Sequence, residues 1–287
     1  MHWDYSHKQD QPLIEIVNEF IVSEKTVLLP FDRNIMKIQQ EMGKDEPDSR
    51  VIESLIVSDQ ALTTQVLRTA NSAFFRGLLK VSTVRDALIR LGTSEIASIV
   101  SFVAHKRNHR AKDPFIRGIM TKLWTHSAGC AIGSQWLAQR CGFRDRSHEL
   151  FIAGLLHDVG KLFLLTVIDA IKTSGRIQSM PPKSLIMELM ASLHTEHGHS
   201  LLKNWNLPDI YCRIALRHHE ELDEKENLPL MVVKLANQAC NKMGIGLAPD
   251  PSLLLAATAE AYSLGLSDVA LAELEIKLED FVARLGI

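Results

Sequence analysis

The chain has 287 residues, with 32 Lys+Arg against 34 Asp+Glu, a formal net charge of −2, 46% hydrophobic and 23% charged residues. That balance allows a full core and gives no global pull toward nucleic acid or anionic lipid. The N-terminal MHWDYSHKQD lacks a signal-peptide core and no 18-residue apolar run is evident, so the expectation is a cytoplasmic protein that does not enter a membrane.

Strand signals are nearly absent and helical periodicity recurs along the whole chain, which predicts an all-α fold. Ile14, Val17, Phe20 and Ile21 begin one amphipathic face, and Ile35, Ile38 and Met42 suggest a second. Val51–Ile56 and Ala61–Ala70 read as two short helices, with Ser58 or Asp59 as the cap of the latter. Ser82-Thr83 opens a helix through Leu88 and Leu91 that Gly92 is placed to end, and another runs from about Ser94 to Ala104. The polar, basic stretch His105 to Pro114 reads as a solvated connection. No aromatic residue interleaves its charges, which argues against nucleic acid as a partner.

Longer helices are expected over 115–140, 147–166, 183–204, 208–220, 228–243, 252–263 and 267–285, punctuated by Pro181-Pro182 and Pro208. Small residues from Ser127 to Ala131 would let the first of these approach its neighbours closely. In the last, apolar residues from Val269 to Leu285 favour intramolecular packing over a dimer seam. The four cysteines, Cys130, Cys141, Cys212 and Cys240, form no CxxC pair, which speaks against a zinc ribbon or disulfide framework. Cys130 and Cys212 read as small buried hydrophobes.

The polar residues inside these apolar helices need partners, because burying them alone costs roughly 2–7 kcal/mol each and more for a charge. They are His126 in LWTHSAG, His157-Asp158 and Lys161 in GLLHDVGKL, His194 in LHTEHGHSLL, and His218-His219 in ALRHHEE. Adjacent residues on a helix diverge by about 100°, so His157 and Asp158 could straddle one flank and face a common point. Imidazole with carboxylate suits a borderline divalent ion such as Fe, Mn, Zn or Ni. Each residue also has a plainer reading: His126 as a hydrogen-bonded core residue, Lys161 as a partner of Asp158 or a glutamate, His197 and His199 as exposed flanks. The combination favours a metal pocket, present or former.

GLLHDVGKL resembles the defining motif of the HD superfamily of metal-dependent phosphohydrolases. More specifically, the chain resembles the HDOD domain, the HD-related output domain of bacterial signalling proteins. The resemblance rests on SDQALTTQVLRTANSAFFRG (Ser58 to Gly77), VSTVRDALIRLG (Val81 to Gly92), LWTHSAGCA, FIAGLLHDVGKLFLL, HTEHGHSLLKNWNLP and IALRHHEEL, and covers roughly residues 25–240. It implies an N-terminal helical subdomain (1–110) packed on an HD-like helical bundle (111–287). Laid over the pattern of the HD-GYP phosphodiesterases, it also implies His126, His157, Asp158, His194, His218 and His219 as metal ligands for one or two ions, or none. Lys161 takes the place of a phosphate contact. Two departures stand out. The segment after the paired histidines lacks the GYP loop, and Asn237 in VVKLANQACN replaces the last expected aspartate.

A neutral amide ligates a dication poorly and cannot act as a base, so hydrolysis should weaken. The expected function is therefore a signal-transduction regulatory module that binds a signalling protein or a small nucleotide-like ligand, without efficient catalysis. The alternative is a metal-dependent phosphohydrolase or cyclic-nucleotide phosphodiesterase. No catalytic residue is assigned beyond the phosphate contact at Lys161.

Overall fold

The computed structural model describes residues 12–23, 33–44, 46–71, 80–220 and 228–285. Two stretches that carried part of the resemblance, 72–77 of the N-terminal signature and 221–227 after the paired histidines, lie outside the described residues. Among the described residues every regular element is helical. Four short helices come first: α1 (Leu13–Ser23), α2 (Arg33–Met42), α3 (Ser49–Val57) and α4 (Gln60–Ala70). The long α5 (Val84–Asn108) follows, bent where Gly92 leaves helical geometry at φ 79° and ψ 160°. Gly92 thus ends one helical run and the next begins at once, as the glycine's freedom at positive φ permits.

Local chemistry sets these boundaries. Thr83 caps α5 by accepting from the Asp86 amide at 3.1 Å, and its hydroxyl donates to the Asp86 carboxylate at 2.7 Å. Asn71, at the end of α4, holds the chain on both sides of the 72–79 stretch. Its amide nitrogen donates to the Leu67 and Val81 carbonyls at 2.9 and 2.8 Å, and its oxygen accepts from the Val81 amide at 2.8 Å. The asparagine of the RTANS signature is therefore a structural clamp.

The expected solvated connection from His105 is corrected at its start. Residues 105–108 complete the last turns of α5, because His105 falls on the same inward face as Ser101 and Ala104 and is buried. Arg107 makes a two-pronged ion pair with Asp59 at 2.6 and 3.1 Å. Lys106 Nζ sits 4.6 Å from the centre of the Trp124 ring. Charge expected to lie in a solvated connection thus joins α5 to the turn before α4 and to the next helix.

The histidine-bearing helices are α6 (Pro114–Arg140), α7 (Ser147–Leu156), α8 (Val159–Thr173), α9 (Lys183–Asn204), α10 (Asp209–Arg217) and α11 (Leu228–Lys242), followed by α12 (Ala259–Ser263) and α13 (Asp268–Leu285). Asp113 caps α6 by accepting from the Phe115 and Ile116 amides, with Pro114 in the first turn. The small residues expected to allow close approach do so. A Cβ on Gly154 of α7 would lie 2.6 Å from the Cys130 carbonyl of α6, and one on Gly129 would lie 3.0 Å from Cys240 Sγ of α11. Leu271, Leu274 and Leu278 of α13 are buried in the same cluster as Leu137, Leu235 and Ala236, so this helix packs within its own chain. The expected helix over 252–263 is instead a single 3-10 turn, Leu255–Ala257, and the short α12.

Two stretches, Val84–Asn108 and Arg144–Thr173, are long and apolar enough to cross a membrane by composition alone, contrary to the expectation of no such run. The apolar window of the second is 89% buried inside the fold, and the helix is broken midway, so its hydrophobicity serves the core.

Candidate metal centre

The single helix expected over 147–166 is two helices, with His157 and Asp158 at the break between α7 and α8. Asp158 has φ −103° and ψ 15°, outside helical geometry. This turn, and not the stagger of a continuous helix, brings two adjacent side chains together, with His157 Nε2 3.5 Å from Asp158 Oδ2. The paired histidines also stand at a helix end. α10 stops at Arg217, short of the expected residue 220, and His218 Nδ1 donates back to the Ile214 and Ala215 carbonyls at 3.1 and 3.0 Å.

Asp158 is the hub. Its Oδ2 lies 3.7 Å from His126 Nε2 of α6 and accepts from Lys161 Nζ at 2.8 Å. Its Oδ1 lies 3.6 Å from His194 Nε2 of α9 and 3.3 Å from His218 Nε2. His126, His157, Asp158, His194 and His218 are all buried. His219 stands at the rim, its ring 4.1 Å from that of His218 and 5.0 Å from that of His194. All six residues singled out in the sequence therefore meet in one place. His197 and His199, expected to be exposed, are half-buried outside it, and His197 leans on Phe163 with ring centres 5.5 Å apart.

The hydrogen bonds decide where the imidazole protons are. His126 Nδ1 donates to the Ile245 carbonyl at 2.9 Å, His157 Nδ1 to Gly154 at 2.8 Å and His194 Nδ1 to Met190 at 2.7 Å. A carbonyl only accepts, so each Nδ1, like that of His218, carries a proton, and in the neutral rings of His126, His157 and His194 the Nε2 presents a lone pair to the centre. Burial pushes His126 and His157 below the ordinary histidine range and His194 to about 4, which keeps these rings neutral. Burial works against the charge on Asp158 more than any single neighbour favours it, but Lys161, His157 and His218 together outweigh burial and hold the carboxyl well below its usual range.

Four imidazole nitrogens and a carboxylate thus face one another. His194 and His218 Nε2 are 3.3 Å apart, and His157 Nε2 and Asp158 Oδ1 are buried without a hydrogen-bond donor. Such an arrangement is costly in itself and is relieved by a cation at the centre. Ligand bonds of ~2.0–2.2 Å would set tetrahedral donor atoms about 3.3–3.6 Å apart, close to what these residues show. The donor set fits a divalent ion.

The family model of the HDOD domain matches residues 28–221. The chain belongs to the HDOD family. An HDOD domain protein of unknown function from Geobacter sulfurreducens shares 23% identity, covering 94% of this chain and 95% of that one, with a TM-score of 0.67. A candidate metal-dependent phosphohydrolase from Shewanella amazonensis SB2B shares 17% identity over 93% and 98% of the two chains, with a TM-score of 0.65. A candidate signal transduction protein from Marinobacter aquaeolei VT8 has a TM-score of 0.64 at 21% identity, covering 98% of this chain and 66% of that one. At these identities the likeness is one of fold. An uncharacterized protein of Treponema pallidum (strain Nichols) is 25% identical over 189 residues, and the match spans 36% of that relative's length.

Around the HDOD centre lie residues that sequence reasoning passed over. Cys130 is buried as expected, but its Sγ is 3.5 Å from His126 Nε2. Its place four residues after His126, one turn along the same helix face, was the available signal. The 243–250 loop gave none. There, Ile245 orients His126, and Gly246 at φ 123° passes so close that a Cβ would lie 2.8 Å from His126 Nδ1. Over the rim opens a cleft of about 550 Å³ lined by His218, His219, Lys234, Asn237, Gln238 and Glu260, among others. Lys234 is nearly buried there, 3.3 Å from Glu260, which also accepts from Gln238 at 3.0 Å.

Proposed function

We propose that this HDOD protein is a signal-transduction regulatory module in which a divalent ion shapes a polar cleft for a small nucleotide-like ligand or a signalling partner, without efficient hydrolysis. His126 and His157 on one side of Asp158, and His194 and His218 on the other, would hold one ion or two, with His219 at the rim. When bound, such an ion supplies Lewis acidity and an activated water. The observation that carries the reading is Asn237. It lines the cleft beside His218, with a neutral amide where a catalytic HD site calls for a carboxylate. The centre therefore has one carboxylate, Asp158, and Lys161 already offsets its charge at 2.8 Å. The cleft's volume falls in the range of small-molecule sites.

A hydrolase reading draws on Lys161, whose side chain is 20% exposed and within reach of an incoming phosphate. The two readings separate in one experiment: metal analysis of the purified protein, then assay of phosphodiester and phosphomonoester substrates with added Mn²⁺. The expected result is bound metal with turnover no higher than that of Asp158→Ala. Turnover that Asp158→Ala abolishes would establish an enzyme and overturn the proposal.

A further inference from the structure

Cys130 and His126 share one face of α6, and the donor atoms of Cys130, His126 and His157 all lie within 4.8 Å of one another. Cys130 Sγ is 3.5 Å from His126 Nε2, and Asp158 Oδ2 is 3.7 and 3.5 Å from the Nε2 atoms of His126 and His157. A tetrahedral ion with bonds of ~2.0–2.1 Å to nitrogen and ~2.3 Å to sulfur places those two donors about 3.5 Å apart. These three separations agree with that geometry to within a few tenths of an ångström, and Cys130 and His157 lie within 4.8 Å of each other. An independent sign comes from His157, whose Nε2 is fully buried and has no hydrogen-bond donor.

We propose that Cys130 is a thiolate ligand to the ion on the His126 side of Asp158, completing a set of two imidazoles, one carboxylate and one sulfur. The proposal rests on the metal reading given above. On loading, the metal–sulfur bond forms as the S–H bond breaks, and the proton leaves to solvent. The thiolate contributes the negative charge that Asn237 does not, from α6 instead of α11. Cys240, three residues beyond Asn237, is buried in the same cluster as Cys130 and would pack around the sulfur as an outer neighbour. A soft ligand also shifts metal preference away from Mg and Mn toward ions such as Zn, Fe and Co.

The test uses the full chain, stripped of metal and loaded with Co²⁺. Expected are the visible bands of a tetrahedral cobalt centre together with an intense near-ultraviolet sulfur-to-cobalt charge-transfer band. Cys130→Ser should lose the near-ultraviolet band and keep the visible ones, while Cys240→Ser should retain both. Visible bands without the sulfur band in the parent protein, or a sulfur band that survives in Cys130→Ser, overturn the ligand assignment and leave the metal reading standing. Absence of bound cobalt would remove both. Should Cys130→Ser fail to fold, X-ray absorption of the zinc-loaded parent decides: a sulfur shell at ~2.3 Å supports the proposal, and an all-nitrogen-and-oxygen shell overturns it.

Discussion

The narrowest helix–helix contact in the HD region makes the sharpest prediction. A Cβ on Gly160, in the first turn of α8, would lie 1.9 Å from the His194 carbonyl oxygen and 2.7 Å from the Gly198 amide nitrogen of α9. Real Cβ contacts essentially never fall below 3.0 Å, so Gly160→Ala must separate the two helices by about 1.1 Å. The clashing atoms are backbone, which cannot swing aside as a side chain would. The cost should therefore reach the upper end of overpacking, about 3 kcal/mol. At roughly 2–4 °C per kcal/mol for a protein of this size, the melting temperature should fall by about 6–12 °C. The same shift carries His194 away from Asp158, and metal sites tolerate only ~0.2 Å in ligand position, so metal content should fall too. Gly118→Ala is the matched control. It lies exposed in α6 with nothing within 4 Å of its added carbon, and should stabilise by about 0.5–1 kcal/mol. Thermal melts by circular dichroism and metal analysis read both variants. Gly160→Ala melting within about 1 °C of the parent, with metal retained, would refute the packing argument.

Asp158→Asn keeps the volume and removes the hub's charge. Chelation should lower the parent's melting temperature by the loss of linkage, about 2.7 kcal/mol if the ion was at one hundred times its Kd, and should leave Asp158→Asn unmoved. In metal-free protein, the neutral buried histidines make stability depend on pH. His194 titrates at about 4 in the fold against an ordinary value of 6.5, so between these values the unfolded chain binds more protons. Stability should be level above about pH 6.5 and fall toward pH 4 with a slope approaching 1.4 kcal/mol per unit from this residue. His126 and His157 act in the same direction. Urea midpoints at successive pH values check this, and a flat profile from pH 7 to 4.5 would contradict it. Asn71→Ala breaks three hydrogen bonds at the α4 end and should cost about 2–3 kcal/mol, read as a lower urea midpoint at unchanged slope.

Most of the helices were legible in the sequence because their signals are local: apolar periodicity, Asp113-Pro114 opening α6, Gly92 interrupting α5. The candidate ligands were legible because a polar residue in a buried helix must have a partner, and because the HDOD resemblance said which ones belong together. Three things were decided only by the tertiary structure. The break at Asp158 is one, since α8 must turn to seat Gly160 against His194, a contact 34 residues away in sequence. The fate of the basic stretch is another: Arg107 is a structural residue because Asp59, in the turn just before α4 and distant in sequence, receives it. The third is Cys130, apolar by its neighbours in sequence but placed by its helix beside His126 and His157. Periodicity reports which face of a helix is buried. What that face meets depends on contacts between residues far apart in the chain, and the chemistry of this centre lies in those contacts.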